Sequence, residues 1–365
     1  MMDKIFWQNK RVFVTGHTGF KGSWLSLWLQ HMGAKVKGYS LTPPTEPNLF
    51  QVANVAEGMA SEIGDIRDDQ QLLKSISTFK PEIVFHLAAQ PLVRLSYSEP
   101  VETYSTNVMG TVYILEAVRQ VGGVKALINI TSDKCYDNKE WVWGYREHEA
   151  MGGYDPYSNS KGCAELVTAS YRNSFFNPAK YAQHGTAVAT VRAGNVIGGG
   201  DWALDRIVPD ILRAFTASKL LVIRNPTAIR PWQHVLEPLS GYLLLAEKLY
   251  DAEGKYAESW NFGPNESDAT SVQNIVEKIK LLWGERSGGQ LLDETKHPHE
   301  AHYLKLDCSK AKMQLGWWPR WSLDTTLDYI VKWHQAWLSG EKMRHYTINE
   351  INDYMNTKNL DNGIL

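Results

Sequence analysis

The chain has 365 residues, 43% of them hydrophobic, and its 38 Lys and Arg nearly balance 40 Asp and Glu. That length fills one large core or two modest ones, and a net charge of −2 gives no electrostatic reason to expect nucleic acid or an anionic membrane as partner. The start M-M-D-K-I-F-W-Q-N-K lacks a signal-peptide apolar core, no apolar run approaches ~18 residues, and Cys135, Cys163 and Cys308 fit scattered reduced thiols, so the residues predict a soluble cytoplasmic protein without a disulfide frame.

Residues Arg11–Thr15, R-V-F-V-T, predict a buried strand. G-H-T-G-F-K-G follows at once, with Gly16, Gly19 and Gly22 spaced as G-x-x-G-x-x-G, and S-W-L-S-L-W-L-Q-H-M-G then has a helical period. Glycines there allow a tight turn and close approach of a pyrophosphate, and the helix start offers free N–H groups at the positive end of its dipole. Thr18, Phe20 and Lys21 share that turn and are candidate cofactor contacts. A second strand, A-K-V-K-G-Y-S, ends at Tyr39 and Ser40. It carries neither the acid that holds an adenosine ribose nor an Arg for a 2′-phosphate, which leaves NAD and NADP both open at this position. Gly64-Asp65-Ile66-Arg67 leads into a helix, and P-E-I-V-F-H predicts a strand running out through Leu87, Ala88, Ala89 and Gln90. From Pro100 a helix is predicted through Asn107 to a stop at Gly122-Gly123. This β–α alternation implies a parallel, doubly wound α/β sheet.

The stretch from Thr131 to Lys161 organises the rest. A-L-I-N-I-T-S-D-K predicts a buried strand whose C-terminal end releases Ser132, Asp133 and Lys134, the end at which open parallel sheets bind ligands. Asp155 suits an N-cap and Pro156 a first helical turn, so Tyr157 and Lys161 fall at i and i+4 on one helix face. An ammonium beside a phenol stabilises the phenolate, so the expectation is a lowered Tyr157 pKa and a base near neutrality.

Glycine turn, strand-end S-D-K and Tyr-x-x-x-Lys together resemble the extended short-chain dehydrogenase/reductase family over about residues 10–327. The resemblance implies a Rossmann-type sheet with a smaller C-terminal mixed α/β substrate lobe, NAD as cofactor, and a Ser132–Tyr157–Lys161 triad. It places Asp65 and Ile66 by the adenine, and Leu87, Ala88, Ala89, Gln90 and Asn107 along the cofactor. Arg192 and Asn195 match an R-x-x-N-V-x-G element whose Asn approaches a sugar nucleotide. Arg206, Arg230 and His234 are the other substrate-side candidates, the arginines at positions that meet a nucleotide diphosphate through guanidinium–phosphate pairing.

Within that family Asp133-Lys134 resembles the nucleotide-sugar 4,6-dehydratases, since 4-epimerases carry small or neutral residues there. The implied chemistry is oxidation at C4 with Tyr157 as base, removal of the C5 proton by Lys134, departure of the 6-hydroxyl helped by Asp133, and return of hydride to C6. A homodimer or homotetramer is implied through the Tyr157 helix and the helix after Asn107, with Leu166, Val167, Ile114 and Leu115 offering apolar faces. The expected layout is a cofactor domain over 1–190, a substrate lobe over 191–340 with interleaved segments, and a polar tail over 341–365 that hugs a neighbour or frays. His297, His299 and His302 have no carboxylate or cysteine set at matching spacing, so no metal is expected.

Overall fold

A computed structural model describes residues 3–284, 289–292 and 303–357; His297, His299 and His302 lie outside them. Strands β1 (Arg11–Thr15), β2 (Lys35–Ser40), β3 (Ala60–Ile63), β4 (Ile83–His86), β5 (Ala126–Ile130), β6 (Ala187–Arg192) and β7 (Ser259–Asn261) form one seven-stranded sheet. Their order is β7-β6-β5-β4-β1-β2-β3, every pairing parallel. β4, β5 and β6 are buried at every position, which is why they read as unbroken apolar runs and not as alternation. Strand order reverses between β1 and β4, and a doubly wound sheet opens its ligand crevice at such a point. The two strands are pinned there by Thr15, whose Oγ lies 2.8 Å from His86 Nδ1 and accepts the Leu87 and Ala88 N–H groups at 3.1 Å.

Helix α1 (Phe20–His31) packs Trp24, Leu25, Leu27, Trp28 and Leu29 into the sheet. The predicted helix through Asn107 is Pro100–Tyr104, a wide π turn over Ser105–Met109, and α2 (Gly110–Val121). α3 (Pro156–Ser174) starts as its sequence demands, with Asp155 Oδ1 accepting the Ser158 N–H at 2.9 Å and Pro156 in the first turn.

The chain leaves the sheet after β6 and later returns to it. α4 (Leu236–Asp251) and β7 belong to the main core, while Val208, Ile211, Phe215, Ile275, Ile279, Leu327 and Ile330 form a second, smaller core. The stretch expected as a polar tail is, over Met343–Asn356, helix α5, and its Met343, Ile351 and Tyr354 are buried in the main core. A helix with one thin apolar stripe reads as polar by composition, and only the partner face shows what the stripe is for. Ile114 and Leu115, expected on an outer apolar face, are buried in the core of the chain itself; Leu166 is 60% exposed.

Candidate active site

Above the switch point lies a cavity of about 1810 Å³. One small ligand occupies roughly 300–1,000 Å³, so this space accommodates two. Its floor begins with the glycine turn. A Cβ on Gly16 would stand 2.8 Å from Ala88 N, and one on Gly22 would stand 2.1 Å from Gly16 O, so neither position has room for a side chain. Gly19 is the N-cap of α1, and the first intrahelical bond runs from Ser23 N to Gly19 O at 2.9 Å. The N–H groups before Ser23 therefore face the cavity without helical partners, an anion cradle suited to a pyrophosphate.

At the far end of β2 the Ser40 and Thr18 hydroxyls are 2.9 Å apart. Asp65 accepts a 2.6 Å bond from Arg67, whose guanidinium holds the carboxyl below its usual range. The strand end thus offers hydroxyls where the usual pattern has a free acid.

The reacting end is built by the exits of β5 and β6 and the first turns of α3. Ser132, Asp133, Tyr157 and Lys161 are between 3% and 8% exposed, and all four line the cavity with Lys134. Ser132 Oγ donates to Asp133 Oδ1 at 3.0 Å and accepts the Lys134 N–H at 3.2 Å. Asp133 fits only because residue 194 is glycine: a Cβ there would lie 1.9 Å from Asp133 Oδ2.

The expected lowering of the Tyr157 pKa is not what the structure gives. Burial pushes the phenol up to about 12, against a downward pull from the Ser132 hydrogen bond, an upward push from Asp133 and a downward pull from Arg206. Lys161 Nζ instead donates to Ile130 O at 3.3 Å. Burial, helped by the neighbouring charge of Lys21, lowers Lys161 itself to about 8. Lys21 is likewise brought down to about 8 by burial and Arg206, with Asp133 and Asp201 opposing. Three cations and two carboxylates therefore share one end of the cavity, the setting in which perturbed groups mark function.

Gly16, Thr18, Gly19, Phe20, Lys21, Gly22, Asp65, Ile66, Leu87, Ala88 and Ala89 all line the cavity, as do Asn195, Arg206 and Arg230. Three candidates do not. Asn107, on the π turn, accepts the Gln90 N–H at 2.8 Å and donates to Gln90 O and Ser160 Oγ, so both Asn107 and Gln90 brace the wall from behind. His234 is fully buried, 3.0 Å from Glu350 and ringed by Trp24 and Trp321; it ties α5 to the core instead of meeting a ligand. Arg192 also turns inward, to Glu165. Sequence reasoning passed over Gly194 and Asp201. The latter follows the glycine run G-G-G directly and holds Arg206 in a 2.8 Å ion pair. Among the described residues no His, Cys, Asp and Glu group fits a metal ion, and no helix is long and apolar enough to cross a membrane.

A crevice at the switch point of a doubly wound sheet, with a glycine cradle and Tyr157 and Lys161 on one helix, defines a dinucleotide-dependent enzyme of the epimerase and dehydratase type. A family model described as GDP-mannose 4,6 dehydratase matches residues 13–330, and the chain belongs to that family. It is 67% identical to the CDP-glucose 4,6-dehydratase of Salmonella typhimurium, over 97% of this chain and 99% of the relative. A dTDP-glucose 4,6-dehydratase of Xanthomonas campestris is 24% identical over 93% of this chain and 97% of its own. In fold the chain is similar to the UDP-glucose 4-epimerase of Thermotoga maritima, solved with UDP-glucose (TM-score 0.77, 23% identity, covering 90% of this chain and 99% of the other). It is also similar to the dTDP-glucose 4,6-dehydratase of Bacillus anthracis, solved with NAD (TM-score 0.74, 22% identity, covering 92% and 99%).

Proposed function

We propose that the protein is a CDP-glucose 4,6-dehydratase, a hydro-lyase that converts CDP-glucose to CDP-4-keto-6-deoxy-D-glucose with a resident NAD. The observation that carries the reaction type is the placing of Ser132, Asp133 and Lys134 on one strand end, in the same cavity as Tyr157 and Lys161. The cytidine nucleotide rests on likeness to the 67% identical relative, since no single residue here spells out a base.

NAD suits the cradle at the start of α1, with Thr18 and Ser40 near the ribose and Asp65 and Ile66 beyond. When bound, its nicotinamide supplies a reversible hydride acceptor, and its positive charge adds to Arg206 in favouring the Tyr157 phenolate. The chain's own residues move the protons. Tyr157 takes the proton of the 4-hydroxyl. Lys134 removes the C5 proton, which the new 4-ketone has made acidic, and Asp133 protonates the departing 6-hydroxyl. Asn195, Arg206 and Arg230 hold the sugar nucleotide. Arg206 is also tied to Asp201, and that bond fixes the direction of its guanidinium.

The assembly is a homodimer or homotetramer through the Tyr157 helix and the Pro100–Val121 segment. Leu166 (60% exposed) and Val101 (80% exposed) lie on these helices with their side chains uncovered. A monomeric mass by light scattering at micromolar protein would refute that assembly. The test of function is incubation of the purified protein with CDP-, dTDP- and UDP-glucose. A base-labile 4-keto chromophore is expected with CDP-glucose foremost, and a C4-epimerised sugar without that chromophore would contradict the reading.

A further inference from the structure

Between Arg230 and His234 in R-P-W-Q-H-V-L-E-P stands Gln233, a buried residue that does not line the cavity. We propose that Gln233 is a positioning residue for the elimination step: its carboxamide pins the Gly194–Asn195 turn, and that turn holds the Asp133 carboxyl in place. The inference rests on the reading of this site as a 4,6-dehydratase.

After β6 the chain turns at Gly194 and Asn195, both in the cavity wall. Asn195 has a φ of 48°, in the left-handed region that disfavours residues with a side chain, so the turn persists only where its surroundings hold it. Gln233 holds it twice. The short strand Gln233–His234 runs parallel to Val196–Ile197, and the Gln233 N–H donates to Asn195 O at 3.3 Å. Its side-chain Nε2 donates to Gly194 O at 3.2 Å and to Phe262 O at 3.0 Å. Phe262 directly follows β7, and its own N–H donates to Arg192 O, at the end of β6, at 2.8 Å. One amide therefore ties the turn to the exits of two sheet strands.

A primary amide nitrogen carries two hydrogens, and here each meets a carbonyl. That fixes the orientation of the group, because a flip would set Oε1 against both carbonyls. It also leaves Oε1 buried without a partner among the described residues. A buried acceptor left empty costs stability, and methionine or leucine at 233 would carry no such cost. Packing alone gives no reason for glutamine here. Two donors aimed at the turn and at β7 do.

The carboxyl that benefits is Asp133. Its Oδ1 accepts the Ser132 hydroxyl at 3.0 Å, and its Oδ2 lies so near Gly194 that a Cβ there would stand 1.9 Å away. One oxygen is held by Ser132 and the other is stopped by the Gly194 backbone. In the elimination step the C5–H bond breaks toward Lys134, the C6–O bond breaks, and the proton of Asp133 completes the departing water. A turn free to shift removes the stop and lets the acid swing away from O6. Tyr157 and Lys161 stand on α3 and make no hydrogen bond to this turn among the described residues, so oxidation at C4 does not depend on it.

The test uses the holoenzyme and two variants, Gln233→Met and Gln233→Glu, with CDP-glucose and with the 6-deoxy analogue, which can be oxidised but has no 6-hydroxyl to lose. Gln233→Met keeps the length of the side chain and removes both donors. It is expected to accumulate enzyme-bound NADH on CDP-glucose, with product formation down about 10-fold, less than the roughly 10²-fold loss of an acid–base group itself. On the analogue its NADH forms at close to the wild-type rate. Gln233→Glu keeps one donor while its buried carboxyl is protonated, so its product formation, relative to wild type, recovers toward acid pH and is lost as pH rises. A residue that merely fills the core would lower oxidation and elimination together and show no such pH signature. Equal loss of both steps in Gln233→Met, product formation at the wild-type rate, or a flat pH ratio in Gln233→Glu would each overturn the inference. If the wild-type protein makes no 4-keto sugar, the functional reading falls and takes the inference with it; if it does and the two steps do not separate in the variants, the inference alone falls.

Discussion

Two charge clusters, one fully buried and one lining the cavity, stand on opposite sides of the β5 exit. Behind it, Arg192 donates to Glu165 at 2.9 and 2.8 Å and to Tyr136 Oη at 2.6 Å, while Glu165 also accepts the Thr131 and Thr190 hydroxyls. Burial alone would raise the Glu165 carboxyl, but the charge and hydrogen bonds of Arg192 bring it below the usual range. In front of it, Lys21, Lys161 and Arg206 share the cavity with Asp133 and Asp201, and only Arg206 and Asp201 are recorded as an ion pair. The first cluster is satisfied and so fixes geometry; the second is left with Lys21 and Lys161, both lowered by burial and by a neighbouring cation. Buried charge that has all its partners holds a fold together, whereas buried charge short of partners is available for chemistry.

The comparison breaks most visibly at Tyr157. Tyr157→Phe is expected to lower turnover by about 10²–10⁴-fold, the worth of an acid–base group, with the thermal midpoint unchanged. Retention of more than a tenth of wild-type turnover would remove Tyr157 from the chemistry.

On the satisfied side, Glu165→Leu leaves Arg192 as an uncompensated buried charge. It should cost about 3–5 kcal/mol of stability in urea unfolding. A loss under about 1 kcal/mol, the scale of an exposed pair, would mean the network is not what fixes the β5 exit.

Gly194→Ala sharpens the contrast, because its backbone is not in the left-handed region and only the 1.9 Å approach to Asp133 opposes the methyl. The expected outcome is displacement of Asp133, bound NADH accumulating on CDP-glucose, and a near-native melting curve. Wild-type product formation would show that Asp133 need not sit where it does.

The smallest effect concerns pH. Lys21 and Lys161 stand at about 8 against an ordinary 10.5, so between those values the unfolded chain binds more protons than the folded one. Stability contributed by these groups therefore rises with pH through that window and is at its lowest below about 8. Lys21→Met removes one such group and relieves the other, so its unfolding free energy should climb less steeply than wild type from pH 8 upward. An identical slope would deny the coupling.

The sheet and the glycine turn were legible because period and spacing are local. R-V-F-V-T followed by G-H-T-G-F-K-G needs nothing distant to be read as strand, turn and helix. Tyr157, Lys161 and the strand-end Ser132, Asp133 and Lys134 were legible for the same reason. His234 was not: R-P-W-Q-H-V-L-E-P looks like a ligand loop, but its histidine meets Glu350, more than a hundred residues on, and no local pattern carries that contact. The Tyr157 pKa was misjudged because an i, i+4 ammonium is visible in sequence and burial is not. Gly194 was overlooked since a glycine's reason there is the carboxylate it makes way for.

The central claim is that one sugar nucleotide is oxidised at C4 and reduced at C6 within a single active site. CDP-glucose carrying deuterium at C4 tests it directly, with the product examined by proton and deuterium NMR. The account predicts the label in the C6 methyl group of the 4-keto product, retained within each molecule in a mixture with unlabelled substrate. Label returned to C4 of a sugar that keeps its 6-hydroxyl, or lost to water, would contradict it.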